Sequence, residues 1–203
     1  MTRVLLVGFG PFPGAPFNPS AAVVKALARR RRPALADIDL SARVLPTVYA
    51  AADRDLPRWL SAKPDIVLMF GLAGRRRALC IETRARNAVS VLFPDASGHR
   101  PQRGVIDPKK PSSRNGRAPF ARLLGAVRAG AVPARLSRDA GRYLCNYAYW
   151  QALAHSRGAL VQFVHIPPVA LSPRFAKRRQ PSLSQLVDAA ERLLIALIAA
   201  QRH

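Results

Sequence analysis

LCNYAYWQALAHSRGALVQFVHIPP, residues 144–168, changes its hydrophobic period halfway along. Through LCNYAYWQALAHS (144–156) apolar residues recur with the spacing of a helix, whereas ALVQFVHI (159–166) is a short apolar run stopped by two prolines, as a strand buried on both faces would be. The same alternation extends outward. Strand-like runs stand at RVLLVG (3–8), IDLSARVL (38–45) and DIVLMFG (65–71), and helix-period stretches at SAAVVKALARRR (20–31), PFARLLGAVRAG (119–130) and SLSQLVDAAERLLIALIAAQ (182–201). Asn18 or Ser20 caps the first of these helices. Alternating strands and helices predict an α/β fold: one domain over residues 1–203, with a mostly parallel twisted sheet and helices on both faces. Ligands of such sheets sit beyond the carboxyl ends of the strands. The less regular stretch 84–116 predicts a hairpin or an active-site loop.

Composition excludes several classes. With 49% apolar and 22% charged residues the chain is globular. The apolar core of the opening MTRVLLVGFGPFPG ends at glycine and proline, too short for a secretory signal, and no stretch reaches the roughly 20 apolar residues of a membrane helix. A cytoplasmic protein without membrane association is expected. The two cysteines form no CxxC, and no histidine and cysteine cluster has metal-ligand spacing, so neither a disulfide framework nor a metal site is expected.

Lys and Arg number 33 against 11 Asp and Glu, a formal charge of +22. Short basic runs occur at 29–32, 75–77 and 177–179, without a dense tail or an aromatic-interleaved stripe. A solvated basic surface with nonspecific polyanion affinity accounts for this, and a nucleic-acid-binding role stands as the rival reading. GFGPFPG (8–14) and GLAG (71–74) follow strands but lack the spacing or the lysine of phosphate-binding loops, so both are read as turns at strand ends.

Cys145 follows Gly141 and opens the helical run, where free backbone N–H groups and partial positive charge favour a thiolate and an oxyanion. A buried structural cysteine is the competing reading, and Cys80, inside ALCIE, has no such support. Of four histidines only His165 ends an apolar strand; His99 lies in a polar loop, His155 ends a helix and His203 is terminal. His165 is therefore the candidate general base. Glu82, among Arg75, Arg76, Arg77, Arg84 and Arg86, is either the carboxylate that orients an imidazole or a surface ion-pair partner.

In order along the chain stand GFGPF (8–12), NPS (18–20), LPT (45–47), GLAG (71–74), Glu82, PDASGHRP (94–101), AGRYLCN (140–146) and FVHIP (163–167). This series resembles the motifs of the pyroglutamyl peptidase I, or pyrrolidone-carboxylate peptidase, family. The resemblance implies a cysteine peptidase that removes an N-terminal 5-oxoproline from peptides, with Cys145 as nucleophile, His165 as base and Glu82 orienting the histidine. It further implies a lactam pocket among Phe9, Phe12, Thr47, Tyr143 and Leu144, with backbone groups near Leu72 on the ring amide. No cofactor is called for, the partners are N-terminally pyroglutamylated peptides, and a homo-oligomer stays open.

Two departures stand out. Leu92 and Phe93 occupy the place where the family carries an arginine followed by isoleucine or valine, which implies a weaker hold on the oxyanion and a reshaped pocket. ETRAR (82–86) replaces the usual Glu-Arg-Val-Ala. A weakened paralogue that binds a peptide or lactam without efficient cleavage is therefore the alternative reading.

Overall fold

Strand β1 (Thr2–Phe9) is followed by α1 (Pro19–Ala28), β2 (Ile38–Leu45), α2 (Tyr49–Leu60) and β3 (Ile66–Leu72). Next come β4 (Leu79–Glu82), β5 (Arg84–Arg86), β6 (Ser113–Asn115) and α3 (Phe120–Arg128), then β7 (Ala134–Ser137), α4 (Leu144–His155), β8 (Leu160–Ile166) and α5 (Leu183–Gln201). A computed structural model describes residues 1–156, 158–170 and 180–202. The basic run at 177–179 and His203 lie outside the described residues.

Six strands form one sheet in the order β2-β1-β3-β8-β4-β7. β1, β2, β3 and β8 are mutually parallel, while β4 and β7 run parallel to each other and β4 is antiparallel to β8. The reversal follows from chain length. Residues 73–78, between β3 and β4, are too few for a crossover helix, so the chain returns in the opposite direction. This α/β sheet, covered on both faces, is the fold that the alternating periods predict.

The sheet's centre is dry. Every residue of β3 from Ile66 to Gly71 is buried, and β8 is buried from Val161 onward. α1, α3 and α5 pack one face through Val23, Val24, Leu27, Leu123, Val127 and the apolar stripe of α5. α2 and α4 cover the other through Ala52, Leu56, Ala148 and Trp150. Local chemistry sets the helix starts. Asn18 caps α1, accepting from the Ser20 N–H at 3.1 Å, and Pro19 supplies a preset φ at the first helical position. Ser182 and Gln185 close a reciprocal capping box on α5.

Two elements carry weak sequence signals. α2 contains Pro57 in its last turn, which removes a backbone donor and obscures the helical pattern. β7 is only four residues, none of them fully buried. The irregular stretch 84–116 holds the expected hairpin-like pair, β5 with β6, at its two ends.

Candidate active site

Side chains alternate along a strand, so Val161, Phe163 and His165 of β8 face the α2/α4 layer while Val164 and Ile166 face the other. His165 falls at the carboxyl end of β8, next in register to Gly71 of β3 on one side and to Cys80 of β4 on the other. It is buried, with 5% of its surface exposed.

Gly71 decides where the thiol goes. A Cβ on Gly71 would stand 2.8 Å from the Cys145 Sγ and 2.8 Å from the Phe163 ring. The sulfur therefore occupies the space that any other residue at 71 would fill. Adjacent strands are about 4.8 Å apart, so a sulfur above Gly71 lies beside the imidazole of its register partner. Cys145 is the second residue of α4, which Gly141 feeds through a left-handed φ of 83°. No side chain caps α4 at Tyr143, leaving its first N–H groups to face the thiol end of the helix. Asn146 fixes this turn. Its amide accepts from the Arg86 N–H at 2.8 Å and donates to the carbonyls of Arg86 and Ala88, tying α4 to β5.

Glu82 completes the row. Its Oε1 lies 2.8 Å from His165 Nδ1 and 2.6 Å from Arg76 Nη1, and the side chain is fully buried. Burial works to raise its pKa, but the hydrogen bond and charge of His165, the Ser137 hydroxyl and the Arg76 guanidinium outweigh it and hold the carboxyl below the ordinary glutamate value. An ionised Glu82 accepts the Nδ1 proton, which leaves Nε2 as the acceptor. Arg76 also donates to the Asp139 carbonyl, so one guanidinium joins the carboxylate to the turn before α4.

Cys145 is half-buried, and enclosure by its neighbours pushes the thiol up to about 12. The Glu82 charge raises it further, while Arg76 and the residue's own backbone N–H oppose the shift. The resting sulfur is a thiol. Proton removal awaits the imidazole.

Phe9, Phe12, Thr47, Leu72, Tyr143 and Leu144 line one slot of about 130 Å³ that also touches Cys145 and His165. That volume is well below the roughly 300 Å³ of drug-sized pockets and suits a single small ring. Phe12 and Tyr143 face each other at 6.2 Å, and Phe9 rests on Phe163 at 6.0 Å. Thr47 and Asn18 both donate to the Gly10 carbonyl, at 3.1 and 3.0 Å, which ties the Phe9–Phe12 turn to the sheet edge.

Leu92 and Phe93 stand apart from this group, contrary to expectation. They are 72% and 63% exposed and do not line the slot. The Leu92 N–H binds the Ser90 hydroxyl, and the next anchor is Pro94, whose carbonyl accepts from Tyr143; the intervening side chains turn outward. Arg84 and Arg86 do not enter the slot lining either: Arg84 donates to the Arg138 carbonyl and Arg86 lies 3.6 Å from Asp139. Asn146 and Gly71 join the site without a sequence signal of their own, and Arg76 is one of five arginines around Glu82 until the fold selects it. The C-terminal neighbour of the cysteine and a strand-end glycine are weak signals until the layers are stacked. Cys80 is fully buried in β4, and His155 binds its own helix at the Gln151 carbonyl.

A thiol and an imidazole on one small apolar slot, a buried carboxylate on that imidazole and a helix N-terminus without a side-chain cap are the parts of a cysteine hydrolase. The pyroglutamyl peptidase family model matches residues 2–203, and the chain belongs to that family. A pyrrolidone-carboxylate peptidase of Pyrococcus furiosus is 32% identical over 186 residues, spanning 88% of each chain, and one of Cupriavidus pinatubonensis is 36% identical over 82% of this chain and 79% of its own. The crystal structure of pyrrolidone carboxyl peptidase from Thermus thermophilus superposes with a TM-score of 0.86 at 30% identity, covering 96% of this chain and all of that one.

Proposed function

We propose that the chain hydrolyses the bond after an N-terminal pyroglutamyl residue, with Cys145 as nucleophile, His165 as general acid and base, and Glu82 as the group that orients and charges the histidine. The observation that carries this reading is the contact of the Glu82 carboxylate with His165 Nδ1 at 2.8 Å, in a row that ends at a thiol opening onto a small apolar slot. Membership of the pyroglutamyl peptidase family supports the same substrate class.

The lactam enters between Phe9, Phe12 and Tyr143, where a neutral ring loses little by leaving water. His165 Nε2 takes the Cys145 proton as sulfur attacks the pyroglutamyl carbonyl carbon, and Glu82 stabilises the imidazolium. The carbonyl oxygen acquires charge against the α4 N–H groups, which no side chain caps. The C–N bond breaks, and the leaving amine takes the proton from His165. Water, deprotonated by His165, then attacks the thioester; the C–S bond breaks, pyroglutamic acid departs and the sulfur recovers its proton. A thiol pushed up to about 12 fits a nucleophile whose proton passes to His165 as the sulfur attacks.

Hydrolysis of a pyroglutamyl fluorogenic amide beside the matching proline amide tests the proposal, with Cys145→Ser as control. Release from the first only, lost in Cys145→Ser, is expected. Equal cleavage of the proline amide, or activity that survives the substitution, would refute it.

A further inference from the structure

Exposed charge of predominantly one sign flanks the slot's lining residues along the chain. Stretches 9–18 and 45–47, which supply Phe9, Phe12, Asn18 and Thr47, contain no Asp, Glu, Lys or Arg. The other two walls are basic. Leu72 leads into Arg75, Arg76 and Arg77, and Ala140, Gly141 and Tyr143 are interleaved with Arg142 and preceded by Arg138. Two of the nearby carboxylates are buried, and the third, Asp139, is exposed but has partners. Glu82 is buried against Arg76 and His165; Asp95 is 1% exposed and accepts from the N–H groups of Tyr49, Ser97 and His99; Asp139 accepts from the Gly141 N–H and faces Arg86. By contrast Arg75, Arg138 and Arg142 are exposed, and their guanidinium groups meet no carboxylate among the described residues.

We propose that these three arginines select the leaving peptide by charge, favouring pyroglutamyl peptides whose remainder is anionic. This inference rests on the pyroglutamyl reading of the site. Its chemical basis is that lactam closure removes the N-terminal ammonium while the C-terminal carboxylate remains, so a peptide with neutral side chains is a net anion. The slot holds a neutral ring, so it cannot read that charge; only the rim meets the rest of the chain. Screening limits what distant cations contribute: the Debye length is about 8 Å at physiological ionic strength, so the rim outweighs the rest of the +22 surface.

The test uses three quenched-fluorescence peptides, pyroglutamyl-Ala-X-X with X as Glu, Ala or Lys, and an uncharged pyroglutamyl anilide. At low salt kcat/KM is expected to fall from Glu through Ala to Lys, by about tenfold or more overall, with the gap closing at high salt. In Arg75→Gln/Arg138→Gln/Arg142→Gln the gap narrows through a loss on the Glu peptide, while anilide hydrolysis is unchanged. Equal kcat/KM across the peptides in an enzyme that cleaves the anilide overturns the charge selection alone. A gap that persists in the triple variant overturns the rim as its origin, and failure to cleave even the anilide sinks the underlying reading. Inhibition of the wild type, but not the triple variant, by duplex DNA of arbitrary sequence far below the Glu peptide's KM assigns the rim to nucleic acid and also overturns the proposal.

Discussion

The Glu82 carboxylate reaches the His165 imidazole diagonally across two antiparallel strands: Glu82 pairs in register with Phe163, His165 with Cys80, and the side chains close to 2.8 Å on the α2/α4 face. Diagonal neighbours on one sheet face lie about 7 Å apart at the backbone, which a glutamate and a histidine span. Glu82→Gln keeps the volume and removes the charge. It is expected to lower kcat by roughly 10³- to 10⁴-fold with a smaller change in KM, because the imidazolium loses its partner. Steady-state kinetics on a pyroglutamyl anilide checks this, and a loss under tenfold would remove Glu82 from the role.

The depressed Glu82 pKa also sets an acid limit. The folded state binds this proton less readily than the unfolded chain does, so the stabilisation is fully present above the ordinary glutamate value of about 4.3 and disappears as pH falls through the lower folded value. Thermal melts should show wild type above Glu82→Gln at neutral pH, with the difference shrinking below about pH 4. A difference that is constant down to pH 2 would show that the gap is not ionic.

Cys145 gives the opposite sign at the other end. Its folded pKa is raised, so folding favours the protonated thiol; that contribution is complete below an ordinary thiol value of about 8.5 and is lost as pH rises toward about 12. Between about pH 8.5 and 10, before tyrosines titrate, wild type should lose more stability than Cys145→Ser. Iodoacetamide should label Cys145 before the fully buried Cys80, slowly at pH 7 and faster with each rise in pH. Melts and peptide mapping after timed labelling read both effects, and prior modification of Cys80 would contradict the nucleophile assignment.

Gly71→Ala places a Cβ within 2.8 Å of both the Cys145 sulfur and the Phe163 ring. The thiol sits at the helix start and must move, whereas Phe163 is locked in the core. Activity is expected to fall by at least about 10²-fold, as a misplacement near 1 Å typically costs, with a melting point lowered by a few degrees. Normal kcat in the Gly71→Ala enzyme would mean that the sulfur does not stand above this glycine during turnover.

Leu92 tests the oxyanion. Because it is 72% exposed and outside the slot, Leu92→Ala should leave kcat within about twofold, the usual range for surface changes. Leu92→Arg should likewise change little if the α4 N–H groups hold the developing charge. A substantial rise in kcat for Leu92→Arg would show that an arginine side chain is missing from that hold.

Periodicity alone carried the four long strands β1, β2, β3 and β8 and the helices α1, α3, α4 and α5, because each buries one consistent face or both. It carried β4 and β7 less well. Their direction depends on the short link at residues 73–78 and on which neighbour the chain meets on return, and neither is a local property. α2 was hidden because Pro57 argues against a helix locally, while Ala52, Leu56 and Leu60 argue for one only once the sheet gives them something to cover.

At the site, the sequence by itself determined the candidate groups: a cysteine at a helix start, a histidine at a strand end and a glutamate among arginines, with two phenylalanines on a glycine turn as a candidate pocket wall. Residue type and distance to the nearest helix or strand boundary fix chemical capacity, and those are local. Tertiary structure alone decided which arginine serves Glu82, that Gly71 must be glycine so the sulfur can stand beside His165, and that Leu92 and Phe93 turn away from the slot. Each of these depends on distances between residues brought together by stacking two helical layers on one sheet, and hydrophobic burial specifies that stacking only for the chain as a whole.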